Sequence, residues 1–514
     1  MNKHKKKVSS LALALGICSS VVFAQESESQ GIQPLANQND NYFKLGGYVR
    51  AWASWNMKDT PETTQDDKGK LSMLRTSLSL NGTAKTGPLE WKAVVRTDYE
   101  NLTKYQRELQ DIVRVGTPGG PGSDMKKELR GTDLREFYVD TQIGDRVQLR
   151  FGKQQVVWGE TDFFHPTDVL QGFDYRWRQF LEPESDELRK PLIMANMRID
   201  VPEANGSLQV IVRPGWDRKK DIGNSYDLYG GRWMPQPFRG QDFLALLPYD
   251  HEHPKGDYKD TTGGLRWTGV TDKFNYSLSY LTTFQGDPTV NPISNPYAKA
   301  PTGLIGNFFF PKISVVSASI SGDIPAIDTI LNGEVAVHRG VLFNTNSSPT
   351  WGVLPPGWGP VLKKNVVKTT IRADKQLRLM DLLGTNQASL ASVQIFDSWV
   401  QGFKDTDDAV AFAGYSAKLK KHDTIVTAFI TLNYMNSKLN PQLAVGENIS
   451  TGDAFLIPSV SYQYGNHWRF LAEMDIFSPR HARSSPAEVA PESYPLADFT
   501  ANHDQFLLRA TYQF

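Results

Sequence analysis

The chain alternates. Over most of its length apolar or aromatic side chains fall on one parity and polar or charged ones on the other, the two-residue period of a strand and not the 3.6-residue period of a helix. In one early segment Phe43, Leu45, Gly47, Val49, Ala51, Ala53 and Trp55 share a parity, with Lys44, Tyr48, Arg50, Ser54 and Asn56 opposite. In the next, Leu74, Thr76, Leu78, Leu80 and Gly82 alternate with Arg75, Ser77, Ser79 and Asn81. Segments come in pairs joined by tight turns at Gly87-Pro88, Gly144-Asp145, Asn205-Gly206, Thr271-Asp272, Pro325-Ala326, Gly384-Thr385, Lys421-His422-Asp423 and Gly465-Asn466. The other connections are long and hold most of the Pro, Gly and acidic residues, at 58–69, 101–132, 158–189, 215–260, 285–310, 341–364, 398–409, 437–453 and 478–501. This pattern predicts an all-β fold, an antiparallel transmembrane β-barrel of about eighteen strands (16 to 18) with short periplasmic turns and long extracellular loops.

The physical reason is that a sheet in hydrocarbon must pair every backbone group internally, so it must close, and its outward parity must be apolar. Aromatics near the strand ends, among them Phe43, Trp55, Tyr99, Trp267, Phe274, Phe284, Tyr434, Tyr464, Trp468 and Tyr512, are expected to form interfacial girdles. The chain finishes inside such a strand, with Phe506, Leu508, Ala510, Tyr512 and Phe514 on the apolar parity. That ending resembles the C-terminal signal through which the barrel-assembly machinery takes up outer-membrane proteins.

Composition narrows the classes further. With 56 Lys+Arg against 56 Asp+Glu the chain lacks the basic excess of a nucleic-acid binder, and 39% hydrophobic residues is too many for a disordered chain. Four lysines between Asn2 and Lys7, the apolar run Val8–Cys18 and the small residues before Gln25 read as a secretory signal cleaved after Ala24. A lipoprotein signal ending at Cys18 fits less well, because Ile17 stands where a small residue belongs. Removing the signal leaves 52 basic residues against 56 acidic ones, a formal charge of −4, and takes away the only cysteine. The expected organisation is a signal peptide at 1–24, a short periplasmic segment at 25–41, and one barrel at 42–514 with a folded loop at 154–191, placed in the outer membrane of a Gram-negative bacterium. Outer-membrane lipid and lipopolysaccharide are the expected surroundings.

The polar parity then lines the lumen. It carries Arg50, Arg75, Arg96, Glu136, Asp140, Arg150, Arg198, Arg213, Arg266, Glu334, His338, Arg372, Asp374, Glu473, Asp475 and Arg509, a mixed wall with a basic tendency. Most of these serve as well for an inter-strand charge ladder as for contact with solute. Eighteen strands tilted by about 40° close to a backbone diameter on the order of 35 Å, wide enough for water unless loops fold inward. Two segments are candidates for folded loops. Asn101–Val115 spaces Leu102, Tyr105, Leu109, Ile112 and Val113 as a helix does, with Asn101 as its cap. Gln154–Pro191 gathers Trp158, Phe163, Phe164, Phe173, Tyr175, Trp177 and Phe180 among Glu160, Asp162, Asp168, Asp174, Arg176 and Arg178. So many rings must pack on something: either the barrel rim, or the lumen interior, where Trp158, Glu160, Asp162, Asp168, Trp177 and Arg178 would make a constriction.

This second segment also carries a resemblance. Gly152-Lys153-Gln154, Val156, Trp158-Gly159-Glu160, Pro166-x-Asp168 and Glu187-Leu188-Arg189-x-Pro191 resemble the signature of a large family of porin-like proteobacterial outer-membrane barrels, the domain of unknown function 1302. The resemblance implies that the barrel occupies nearly all of the mature chain and supplies no established substrate. His165 departs from the signature, which has Asn before the proline.

Enzyme chemistry finds little footing: there is no G-x-S-x-G elbow, no H-E-x-x-H and no phosphate loop. His251-Glu252-His253 near Asp250 and Asp257 is the nearest approach to a metal set, but adjacent residues in a polar loop are ordinarily solvated, so no metal and no cofactor are expected. The sequence therefore predicts a non-enzymatic outer-membrane channel for small solutes, hydrophobic or amphipathic compounds among them. Two alternatives are a non-transporting scaffold or lipid-handling partner of a periplasmic export complex, and a rim hydrolase.

Overall fold

The computed structural model describes residues 41–514 except 61–62, 117, 120, 160, 162–163, 177–184, 227–259, 294–295, 298–305, 347–356, 413–416 and 481–499. Eighteen strands form one sheet: β1 (Tyr42–Asn56), β2 (Leu71–Thr86), β3 (Leu89–Glu100), β4 (Gly131–Ile143), β5 (Val147–Gln154), β6 (Leu192–Val201), β7 (Gly206–Arg213), β8 (Thr262–Val270), β9 (Phe274–Phe284), β12 (Lys312–Ile324), β13 (Thr329–Asn344), β14 (Val361–Leu377), β15 (Ser389–Val400), β18 (His422–Thr431), β19 (Leu439–Asn448), β20 (Ala454–Tyr464), β21 (Trp468–Ser478) and β22 (Gln505–Gln513). Two short hairpins, β10 (Thr289–Pro292) with β11 (Gly306–Phe309) and β16 (Val410–Phe412) with β17 (Ala417–Lys418), sit in the long connections.

Each barrel strand pairs antiparallel with its neighbours in the chain, and β22 pairs with β1, so the cylinder closes. At the seam Gly47 and Phe514 exchange both backbone hydrogen bonds at 3.0 Å. Only glycine fits at position 47, because a Cβ there would lie 2.1 Å from the carbonyl oxygen of Ser79. Closure removes the unpaired edge that hydrocarbon would penalise.

The two parities separate as the alternation predicts. Leu45, Val49, Leu78, Phe137, Leu265, Ile320, Ile371, Val393 and Leu508 are exposed on the outside, while Arg50, Ser54, Arg75, Glu334, Arg372 and Arg509 are buried on the inside. Of the expected girdle residues, Phe43, Tyr99, Phe274, Tyr464, Trp468 and Tyr512 are exposed. Phe284 is not: it is buried, with the Arg213 guanidinium 5.0 Å from its ring centre. No described helix is long and apolar enough to cross a membrane.

Between residues 400 and 450 the strand boundaries differ from the sequence reading. β16 and β17 pair with each other within a long connection, and His422-Asp423 opens β18 and does not turn. The short turn is 432–438, and 439–448, expected as loop, is a barrel strand. Pro441 and Gly446 gave that strand the look of a loop. Pro441 is tolerated because its carbonyl accepts from the Leu432 amide at 2.8 Å while the Leu432 carbonyl, which its missing N–H would have served, accepts from the Asn440 side chain at 3.3 Å. One expected strand is lost and one gained, so the count stands at eighteen.

The helix expected at 101–115 is present as Lys104–Gly116. Its cap is Thr103 and not Asn101: the Thr103 hydroxyl accepts from the Gln106 amide at 3.2 Å while the Gln106 side chain accepts from the Thr103 amide at 3.0 Å.

Candidate functional site

The connection from β5 to β6 enters the barrel. It leaves β5 at Gln154, and Gln171 ties its two limbs, accepting from the Val156 amide at 2.9 Å and donating to the Gln154 carbonyl at 2.9 Å. Trp158 donates its indole N–H to Gln209 of β7 at 2.9 Å. Thr283 of β9 donates to the carbonyls of Val169 and Leu170, each at 3.2 Å. On the far wall, Thr167 donates to Glu334 of β13 at 2.6 Å and His338 of β13 donates to the Pro166 carbonyl at 2.9 Å. Phe164 meets Phe396 of β15 edge-on at 5.0 Å. A loop that contacts β7, β9, β13 and β15 crosses the cylinder and does not cap its rim.

The return limb is fastened by arginines. Asp168 and Arg189, both 2% exposed, form an ion pair at 2.5 Å that staples outgoing to returning limb. Glu187 receives the Arg50 guanidinium of β1 at 2.7 and 2.8 Å, and the Tyr48 hydroxyl at 3.2 Å. Arg96 of β3 donates to the Glu187 carbonyl at 3.1 Å, and Arg135 of β4 to the carbonyls of Asp186 and Arg189 at 3.0 and 2.6 Å. Arg135 reaches inward because β4 bulges there, Leu134 and Glu136 pairing with consecutive residues of β3. Lys190 donates to the Gly223 carbonyl and the Ser225 hydroxyl at 2.8 and 2.9 Å, joining the loop to the segment after β7.

The fastening residues are largely those that carried the family resemblance: Gln154, Trp158, Pro166, Asp168, Glu187 and Arg189. Of the expected constriction residues, Trp158 and Asp168 are in these contacts, while Glu160, Asp162, Trp177 and Arg178 lie outside the described residues. His251, Glu252 and His253 also lie outside them.

The expected lumen residues occupy the inner parity in several pairings. Arg150 grips Asp140 at 2.7 and 2.8 Å, Arg372 pairs with Asp374, Arg75 with Glu100, and Arg213 with Asp217 and Asp260. Arg509 lies 5.0 Å from the ring centre of Trp52. Glu136, Glu473 and Asp475 are buried, Arg266 donates to the Val157 carbonyl at 3.5 Å, and Arg198 pairs with Asp200 in a more open position. The alternation missed two groups: Glu187, because loop residues have no parity to read, and Arg135, because a bulge breaks parity.

Asp174 and His165 are among the loop groups whose protonation is shifted. Burial pushes the Asp174 carboxyl up, but the Arg176 guanidinium at 2.8 Å overrides it and holds the group well below the usual carboxylate range. Burial pulls the His165 imidazole down to about 4, with Asp168 opposing and Arg189 and Lys368 reinforcing the shift. His165 is therefore neutral in the docked loop, where it stacks on Phe173 at 5.0 Å. A released loop would bind a proton near pH 6.5, so docking is fully stabilised above that value and loses stability as pH falls towards 4. Because the ring is only half-buried, the loss is taken as roughly 1–2 kcal/mol. Loop cleavage by a protease active in acid should rise several-fold from pH 6.5 to 4, and His165→Asn should flatten most of that rise; an identical pH profile in the variant would refute the assignment.

A closed eighteen-stranded barrel with a loop pinned across its lumen defines the class of protein. Residues 8–514 match the profile of the family described as protein of unknown function (DUF1302), and the chain belongs to that family. No curated protein matches it. Solved structures similar to it include Acinetobacter baumannii OccAB1, at 10% identity and a TM-score of 0.45, covering 93% of this chain and 99% of that one. Pseudomonas aeruginosa OpdK with vanillate is similar at 9% identity and a TM-score of 0.42, covering 92% and 98%. Salmonella typhi OmpF in complex with daunomycin is similar at 10% identity and a TM-score of 0.41, covering 93% and 99%. The barrel assignment rests on this chain's own strand pairings.

Proposed function

We propose that the protein is an outer-membrane channel for small solutes, with the 155–191 loop setting the width and chemistry of the passage. The apolar outer face and closed sheet fit a bilayer, and a barrel this wide is not filled by its wall side chains alone. The observation that carries the reading is the loop's attachment to opposite walls, through Glu334 and His338 on one side and Arg50 and Arg96 on the other. A loop held that way partitions the lumen and leaves selection to bore, rings and fixed charge. The inner wall also carries two apolar stretches, one around Ile211, Leu281, Val315 and Val366 and one around Phe396, Phe429, Phe455 and Ile457. The loop seats on both, through Val156, Trp158 and Leu170 on the first and Phe164 on the second. Insertion through the terminal strand ending at Phe514, and contact of the long loops with lipopolysaccharide, complete the proposal.

The full chain in planar bilayers should show discrete single-channel steps. A protein whose unheated electrophoretic mobility shows a folded barrel, yet which inserts without any conductance, would overturn the channel reading.

A further inference from the structure

The outer face of the barrel carries positive charge that no described acid answers. Arg339 of β13 and Lys363 of β14 are both exposed, and neither makes a hydrogen bond or ion pair among the described residues. They are neighbours because β13 bulges there. His338 pairs with Val366 and Val341 with Lys364, so Arg339 and Gly340 together stand opposite Asn365 alone. Gly340 has a φ of 81°, the left-handed backbone that glycine allows, and a Cβ on it would lie 3.1 Å from Cε and 3.7 Å from Nζ of Lys363. The lysine therefore lies across the bulge, beside the arginine. Asn365 Oδ1 accepts from the Gly340 amide at 3.2 Å, and its NH2 group is a further donor at the same place. Lys312 of β12, exposed two positions before Ser314, which pairs with Arg339, adds a third positive charge.

The acids near this cluster are committed elsewhere. Asp407 accepts from Lys364 at 2.6 Å, while Asp397 accepts from Thr424 at 2.6 Å and lies 3.1 Å from His422 Nδ1. Around β4 and β5, by contrast, the cations are matched: Arg218 lies 2.7 Å from both Asp133 and Asp221, and Lys153 lies 3.8 Å from both. Like charges side by side repel, so the β13–β14 cluster is favourable only with an anion between them.

Position fixes the kind of anion. Below Asn365 the outward residues of β14 are Val367, Thr369, Ile371 and Ala373, uncharged until Lys375. Ten residues at about 3.3 Å each and a tilt of about 40° give roughly 25 Å of height, the apolar span of an outer-membrane barrel. Arg339 and Lys363 stand at the end of that span nearest the long connections. Exposed Trp399, which pairs with Val367, lies just beneath them, at the depth of an interfacial girdle.

From this juxtaposition we infer that the outer wall of β12–β14 binds the lipid A of lipopolysaccharide, one phosphate between Arg339 and Lys363 with the Asn365 amide as a third donor, and acyl chains down Val335, Val316 and Ile371. A phosphomonoester carries nearly two charges and accepts from a guanidinium in bidentate fashion, which suits a paired arginine and lysine. A phospholipid's phosphodiester carries one charge. The inference rests on the outer-membrane placement and gives the lipopolysaccharide contact a fixed place on the strands, apart from the passage.

The test is native mass spectrometry of the full chain in detergent, stripped of lipid and titrated with bis-phosphorylated hexa-acyl lipid A. One tightly held molecule per chain is expected. Arg339→Gln with Lys363→Gln should weaken it at least tenfold, whereas Lys126→Gln with Lys127→Gln, exposed on the helix Met125–Leu129, should leave it within twofold. Dephosphorylated lipid A and phosphatidylglycerol should bind the wild type at least tenfold more weakly than lipid A does. The altered side chains are exposed, and electrophoretic mobility confirms the barrel in each variant. Equal affinity in wild type and the Arg339/Lys363 variant, or an equal loss in the Lys126/Lys127 variant, overturns the site. Phosphatidylglycerol held as tightly as lipid A overturns lipid A as the occupant. A chain that holds lipid A in this way yet is silent in planar bilayers upholds the site and defeats the channel, so the two failures are told apart.

Discussion

Removing residues 158–189 should raise single-channel conductance about threefold or more and shift selectivity towards anions. The deletion is geometrically mild, because Gln154 pairs directly with Leu192 and the five residues left between them, 155–157 and 190–191, suffice for an ordinary hairpin loop. The wall is untouched. Its lumen, on the order of 35 Å between backbones, would lose the segment that crosses it. Selectivity follows from which charges go. Asp168 and Arg189 leave as a pair, but Glu187 leaves without Arg50 and Arg96, which remain on β1 and β3 facing water. Two guanidiniums released from a carboxylate make the passage more positive. The measurement is conductance and reversal potential under a salt gradient, and a folded deletion variant with unaltered values would show that the loop does not govern the passage.

What the sequence revealed and what it hid follow from the same physics. A membrane barrel must segregate its faces, so residues such as Arg50, Arg75 and Arg509 declare their direction by position alone. The segregation fails wherever the backbone leaves ideal pairing. At β4 one extra residue lets Arg135 and Glu136 both turn inward, which no strict alternation can express. At 439–448, Pro441 mimics a loop signal, because proline's effect depends on whether its missing N–H was needed, and that is a property of the ladder. The inward loop is a third case. Its aromatic content showed that it packs on something, yet rim and lumen stayed equally open, since Phe164 on Phe396 and Thr167 on Glu334 join residues more than 150 positions apart. The resemblance motifs marked the right residues without stating their task. Asp168 and Arg189 are fasteners of a loop, and only their 2.5 Å contact says so.

That contact gives the second large effect. Asp168→Ala should release the loop, because it leaves Arg189 charged, almost wholly buried and short of its carboxylate. Stranding one partner of a buried pair typically costs about 3–5 kcal/mol, enough to change a docked loop into one that opens frequently. The remaining Arg189 contacts, a 3.4 Å hydrogen bond to Gln155 and the Phe173 ring at 5.4 Å, do not neutralise it. The companion change Asp168→Ala with Arg189→Met removes the stranded charge as well as its partner, and apolar replacement of a whole buried pair is often near neutral. The double variant should therefore recover most of what the single one loses. In limited proteolysis of nanodisc-embedded protein, the single variant should be cut within 155–191 at least a hundredfold faster than wild type, and its channel current should flicker to a wider level. The double variant should resemble wild type in both. If the double variant is as labile as the single, the pair contributes through shape or hydrogen bonding and not through charge compensation. If neither differs from wild type, the loop is held by its other fastenings, the wall arginines Arg50, Arg96 and Arg135 and the contacts to Gln209, Thr283, Glu334 and His338.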